Sequence, residues 1–429
     1  MKQSRFFYGW IIVGVGLVVW ILEPGMYVSF GIFFKPVSAE MGWSRAMVAG
    51  ASSLTMIMIG ILAPFSGALS DRYGPGRLVM ASGVLTGLAY ALLSRTEALW
   101  QFYAFYILVG VGMGICFAPV AATIVRWFEK NRGLALGLAT AGAGIGGMVF
   151  PPLTHQLISM WGWRSTYLFL GISMGAVVLA VGTLMRSSPQ EMGLLPYGAK
   201  EAQPEVGVGR SPAGNPGLGT GLSLRQAVGK AAFWIVFLGS TAAVFSFSLV
   251  NVHLVPYATD RGITPATAAL AMAMLGFGNS LGRLGLGALS DRTGRKRMFF
   301  TVLAVSGIAM FSLIIAREGW AFYLFALVFG LACGGAHTNW MALPGELFGL
   351  KSIGALTGLI MTGSTLGGAV GSFLAGYIFD VTGSYSAAFS TGALLLLIAA
   401  GTAFFLLRIP QKGTHLYESQ PTGKAQGRA

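Results

Sequence analysis

The chain has 429 residues, of which 55% are hydrophobic and only 10% charged, and it carries a formal net charge of +14. Soluble domains carry about 25% charged residues, and a mean hydropathy of +0.71 over the full length excludes a globular protein with a single apolar tail. The positive charge does not make nucleic acid a partner, because the basic residues sit in the gaps between apolar runs and form no patch among aromatics; the two cysteines, Cys116 and Cys333, provide neither a zinc site nor a disulfide framework.

A transmembrane helix needs roughly 20 apolar residues to cross the hydrocarbon of a bilayer. In chain order the apolar runs predict spans near 8–34, 45–69, 77–95, 101–124, 132–154 and 164–185. A polar stretch rich in Gly, Pro and charge follows at 186–229, then further spans near 230–257, 265–289, 297–316, 319–342, 352–378 and 385–408. The run after Lys2 and Arg5 is too long for a signal-peptide core and lacks an A-x-A site, so it reads as a retained first span. The expected fold is an all-α membrane protein of twelve transmembrane helices in two pseudo-symmetric six-helix bundles. Its parts are an N-terminal bundle at 1–185, a cytoplasmic linker at 186–229, a C-terminal bundle at 230–410 and a cytoplasmic tail at 411–429. The 63 glycines suit this reading, since small residues let helices approach closely in lipid.

Lysine and arginine set the orientation. With both termini in the cytoplasm, 21 of the 28 basic residues fall in cytoplasmic segments and 6 in outer ones, leaving Arg283 inside a span. The excess then faces anionic lipid head groups.

The run Gly67-Ala68-Leu69-Ser70-Asp71-Arg72-Tyr73-Gly74 recurs, 220 residues on, as Gly287-Ala288-Leu289-Ser290-Asp291-Arg292-Thr293-Gly294. Gly142 and Gly146-Gly147 are echoed by Gly363 and Gly367-Gly368 at nearly the same shift. Two echoes at one spacing mark a duplicated unit whose copies keep the same orientation. Both copies of the motif fall at the cytoplasmic end of the second helix of their half. The first glycine would admit a neighbouring helix. Asp71, Arg72 and Arg77, with Asp291, Arg292 and Arg295, would pair across to the other half or to a helix terminus and form a cytoplasmic gate whose pairs break when the halves rock; the alternative is a basic turn that only obeys the charge rule.

With this paired motif, followed by Arg77 and by Arg295-Lys296-Arg297, the chain resembles the major facilitator superfamily over nearly its whole length. The resemblance implies two bundles alternating access around a central cavity. The run Trp127-Phe128-Glu129-Lys130-Asn131-Arg132-Gly133 through Gly142 is similar to the fifth-helix signature of monocarboxylate porters and of the oxalate/formate antiporters of the same branch. Phe33-Phe34-Lys35-Pro36 with Trp43-Ser44-Arg45 fits the first outer loop of bacterial members. The expected location is therefore a bacterial inner membrane, with a monomer as the default state and no cofactor.

Arg283 stands alone in an apolar helix, about 12 Å from the loop at Asp291. A charge there costs at least about 2.5–3.5 kcal/mol. Either it snorkels or it faces the cavity, where a guanidinium suits a carboxylate as a planar, two-pronged donor. In monocarboxylate porters an arginine of helix eight has that role, and Arg283 occupies the matching position. Asn279, one turn earlier, stands where many animal members carry an acid, which puts their proton-coupling pair in doubt here. Oxalate antiporters pair this arginine with a lysine in helix eleven; Thr357 through Tyr377 holds none, which favours one carboxylate over two.

Glu23, in Leu22-Glu23-Pro24-Gly25, is expected beside a break in the first helix, either as a proton carrier or as a structural hydrogen-bonding group. His253 and His337 are relay candidates or packed side chains. Tyr27, Asn251 and Asn339 are polar groups suited to a carboxylate or hydroxyl, and Phe117 is a candidate apolar wall. No G-x-x-x-x-G-K-[ST] loop is present. The leading expectation is a secondary carrier, not an enzyme, that moves a small monocarboxylate such as lactate or pyruvate with a proton. The rivals are an exchanger of oxalate, formate or larger carboxylic acids, and a sensor that binds solute without moving it.

Overall fold

The computed structural model describes residues 7–198, 221–349 and 351–408. The expected tail at 411–429 and the central part of the linker lie outside the described residues. Ten described helices are long and apolar enough to cross a membrane. One of them, Arg132–Gly182, is two helices meeting at Gly162, whose φ of 75° lies outside the helical region. A further crossing at 265–293 is interrupted by a π-helical turn, Gly282–Leu286. These make up twelve crossings, labelled here α1 (Gly9–Met41), α2 (Arg45–Tyr73), α3 (Pro75–Leu93), α4 (Leu99–Trp127), α5 (132–161), α6 (163–182), α7 (Ala231–Asp260), α8 (265–293), α9 (Arg295–Ile315), α10 (Gly319–Phe348), α11 (Ile353–Thr382) and α12 (Ser386–Arg408).

Local chemistry sets the boundaries. Ser44 caps α2 by accepting from the Met47 N–H at 3.3 Å. Thr264 caps α8 in the same way ahead of Pro265 at its first position, where a missing N–H has no consequence. Gly74 and Gly294, the last residues of the two motif copies, turn the chain with φ of 84° and 93°. Only glycine adopts that region freely, so the motif's final position has a backbone explanation. The first glycine differs between copies: Gly287 lies against Thr338 of α10, whereas Gly67 faces open space.

In α1 the expected break at Pro24 is displaced. The helix runs unbroken through Pro24 to Val28 and is interrupted only at Ser29, whose hydroxyl donates to the Gly25 carbonyl at 3.1 Å. Gly25 instead lets α1 approach Gly146 of α5; a Cβ there would sit 3.0 Å from the Gly146 Cα.

Each half has its own apolar core. The described ends of the linker are fastened to different halves: the Tyr197 N–H donates to the Trp127 carbonyl at 2.9 Å, and the Leu222 N–H to the Phe348 carbonyl at 2.8 Å. The halves meet through small residues. Gly147 faces Gly276, Gly144 lies against Ser280, Gly60 lies against Thr365, and the Ser53 hydroxyl donates to the Ala369 carbonyl at 2.6 Å. Farther toward the motif face, Gly67, Gly133, Gly137, Gly285, Gly354 and Gly358 have no neighbour within 4 Å of a built Cβ. The interface is thus closed from mid-depth to the far face, and open on the face that carries the two motifs.

Candidate functional site

Arg283 lies in the π-helical turn of α8 and is half-buried. Its Nε donates to Asn279 Oδ1 at 3.0 Å, so Asn279 orients the guanidinium without neutralising it. Among the described residues no carboxylate pairs with Arg283. The turn fits its neighbour because Gly278 and Gly282 lie directly against the α10 backbone, and Gly330 and Gly334 return the contact. Thr338 of α10 donates to the Arg283 carbonyl at 3.3 Å. A π turn inserts one residue into the helical register and re-aims side chains, a feature frequent at functional sites.

His337 lies on the same stretch of α10, within electrostatic range of Arg283. Its ring meets Trp340 edge-on at 5.1 Å between centroids. Asn339 is buried; its amide N donates to the Gly335 carbonyl at 2.8 Å, and its oxygen has no partner among the described residues. In the N-terminal half, Phe117 stacks on Trp20 at 4.5 Å, and the Trp20 Nε1–H is buried with no partner among the described residues. Trp20 was not legible as a site residue, although a tryptophan in mid-span, away from the interfacial belts it favours, is a signal in hindsight.

A second polar group is sealed between the halves. The Tyr27 and Ser52 hydroxyls hydrogen-bond at 2.9 Å. On α7 both polar atoms of Asn251 are buried with no partner among the described residues, and so is the Ser280 hydroxyl on α8. Unpaired buried polar groups cost roughly 1–3 kcal/mol each, so this part of the closed seam carries a cost that burial alone does not offset.

Glu23 is fully buried but points into its own half. One carboxyl oxygen accepts from Ser82 at 2.9 Å and Thr86 at 3.1 Å, both on α3; the other has no partner among the described residues. The structure therefore does not bring Glu23 together with Arg283. His253 is placed elsewhere again, near the far face. Its Nδ1 is 3.1 Å from the Tyr385 hydroxyl and its Nε2 is 2.9 Å from the Ser372 carbonyl.

The motif residues do not pair across the halves here. Asp71 binds Arg126 of α4 at 2.8 Å, and Asp291 binds Arg295 at 2.9 Å, each within its own half. Arg72 lies over Tyr73, while Arg77 and Arg292 are exposed. Pairing across the halves occurs on the opposite face, where sequence reasoning gave no role. Asp260 of α7 holds Lys35 at 2.6 Å and Arg45 at 2.5 Å. The Asp380 carboxylate of α11 accepts from the Arg45 and Ala46 N–H groups at 2.9 and 2.7 Å, capping α2 from the other half.

The sequence model of the Major Facilitator Superfamily matches residues 15–257 and 236–426. The chain is 30% identical over 401 residues to human monocarboxylate transporter 11, covering 91% of this chain and 81% of that protein. It is 28% identical to bovine monocarboxylate transporter 13 (98% and 92% covered) and 24% identical to the oxalate:formate antiporter of Oxalobacter formigenes (94% and 92%). Among solved structures, a bacterial homologue of the human lysosomal transporter Spinster, in an inward-facing and unoccupied conformation, aligns with a TM-score of 0.71 at 15% identity over 95% of this chain and 98% of that one. The chain belongs to the Major Facilitator Superfamily, in the branch of the monocarboxylate transporters and the oxalate:formate antiporter, and is a multi-pass membrane transporter.

Proposed function

We propose that this transporter carries a small monocarboxylate of the lactate or pyruvate kind together with a proton, by alternating access. The observation that carries this reading is Arg283: a guanidinium in a π turn of an inter-half helix, oriented by Asn279, with no carboxylate partner among the described residues. An uncompensated cation at that depth is costly, and a substrate carboxylate would offset the cost while bound. The His337–Trp340 pair on α10 and the Trp20–Phe117 pair in the other half are the aromatic groups we assign to a short apolar tail. The absence of a lysine between Thr357 and Tyr377 favours one carboxylate over two. The surplus of lysine and arginine on the motif face makes it cytoplasmic, and the present state is then inward-open. Proton carriage is assigned among Glu23, His253 and His337.

Uptake of labelled lactate into proteoliposomes tests the reading. An imposed inward proton gradient alone should accelerate wild-type uptake. Arg283→Ala should abolish uptake while the protein still folds, and Arg283→Lys should retain a small fraction, since a point charge lacks the two-pronged geometry. Wild-type uptake by the alanine variant would overturn the assignment. Uptake that requires internal substrate would instead favour an organic-anion exchanger.

A further inference from the structure

The far-face closure contains a hydrogen-bond chain whose proton positions are fixed by its members. Arg45 Nη1 donates to Tyr385 Oη at 2.8 Å and to Asp260 Oδ2 at 2.5 Å. Its guanidinium carbon stands 3.6 Å above the Phe379 ring centroid. Arg45 belongs to the N-terminal half, and every one of these partners belongs to the other. Behind Tyr385 lies His253, fully buried, with Phe34 of α1 against its ring at 5.3 Å. The Ser372 carbonyl can only accept, so His253 Nε2 carries hydrogen. In the neutral ring Nδ1 is then an acceptor, and its donor is the Tyr385 O–H. The Tyr385 oxygen remains free to accept from Arg45. Every link has one donor and one acceptor, and the chain is complete only while His253 is neutral.

We propose that His253 is a proton-binding site that controls the far-face latch: a proton at Nδ1 reverses the bond to Tyr385, turns the phenol hydrogen toward the ion pairs that join the halves, and so loosens that side. A protonated Nδ1 must donate to the Tyr385 oxygen, which then faces N–H groups from both sides and has to redirect its own hydrogen. The charged groups around the chain are Lys35 on α1, Arg45 on α2, Asp260 on α7 and Asp380 on α11. The two carboxylates are the other acceptors there, and they already hold Lys35, Arg45 and the start of α2. A phenol turned toward either competes with the ion pairs that join the halves. The imidazolium also places a second cation beside Arg45. By linkage, a state that opens the far face binds the His253 proton more tightly than the closed one. Acid on that side then favours the state that loads substrate from it. The inference rests on the reading that the chain transports by opening this face, and it adds the group through which a proton would favour that opening.

Spin labels at Glu97→Cys and Glu318→Cys, exposed on far-face loops of opposite halves, report the opening by pulsed distance measurement in nanodiscs without substrate. Stepwise acidification from neutral pH should shift the wild-type distribution to longer distances. H253Q, which keeps a donor and an acceptor but does not titrate, should lose that shift. Y385F should start more open at neutral pH and respond less. A wild-type distribution insensitive to pH, or a full response in H253Q, overturns the proposal; the second result would assign the effect to Asp260 or Asp380. If H253Q does not fold, an unaltered Y385F response overturns it equally. R283A should keep the response while losing lactate uptake, so failure of the carboxylate assignment and failure of this one are separately visible.

Discussion

Arg283 and Asn279 are one helical turn apart, joined by a single 3.0 Å hydrogen bond. The amide orients the guanidinium and leaves its charge available. Asn279→Asp would convert that contact into an internal ion pair, with the acid N-terminal to the base, the favourable order on a helix. The new carboxylate would compete with substrate. The expected outcome is a KM for lactate raised about three- to tenfold, about 0.6–1.4 kcal/mol, with the maximal rate changed less; an unchanged KM would show that Asn279 does not gate access to the arginine. Glu23 poses a different question, because its two acceptor contacts, from Ser82 and Thr86, would survive in Glu23→Gln. If Glu23 carries the proton, the pH dependence of uptake flattens in that variant; normal uptake with the wild-type profile places Glu23 in a structural role. Arg283 was legible in the sequence because a lone charge in an apolar run stands out by cost. The orientation of Glu23 was not, since nothing in Leu22-Glu23-Pro24-Gly25 states which neighbouring helix supplies Ser82 and Thr86.

Helix pairs carry the closure, and glycines set where it lies. In α5 and α8, Gly144 and Gly147 pack against Ser280 and Gly276, whereas Gly137 and Gly285, two turns nearer the motif face, have open space. The mean positions of these helices were legible from apolar runs of about span length, and the paired motifs from their repetition. The break in α1 was misplaced from Pro24 to Ser29 because a proline inside a membrane helix need only remove a donor, and neighbouring groups can satisfy the rest. If the halves rock, Gly137 and Gly285 should meet in the opposite state as Gly144 and Ser280 do now. Gly137→Phe should therefore fold and leave the present state undisturbed, yet halt transport by preventing closure of the motif face. Gly144→Phe should do the reverse, since a side chain there meets Ser280 and the Gly276 backbone. Cysteine accessibility on the two faces distinguishes the trapped states, and equal accessibility in both variants would refute a rocking interface at α5 and α8.

On the scale of the whole molecule, the duplication accounts for two similar frames, while the contacts that join them are not duplicated. Lys35 and Arg45 read only as outer-loop charges in the sequence, and nothing there marks Asp260 or Asp380, because the significance of all four depends on how the two halves meet. These ion pairs are non-covalent and lie at the rim, so they can be broken and remade in a transport cycle. A covalent link across the same seam could not be. A Cβ built at Gly60 of α2 lies 3.2 Å from the Thr365 Cβ of α11, slightly inside the range of about 3.5–4.5 Å usual for a disulfide, so a small relaxation admits one. Cys116 and Cys333 are both buried and leave the engineered pair to react alone. In Gly60→Cys/Thr365→Cys, oxidation should reduce uptake to background and a reductant should restore it, while each single variant stays insensitive to both. Undiminished uptake in the oxidised double variant, with the disulfide verified by mass spectrometry, would mean that substrate passes without separation of α2 from α11, and alternating access between these halves would have to be abandoned.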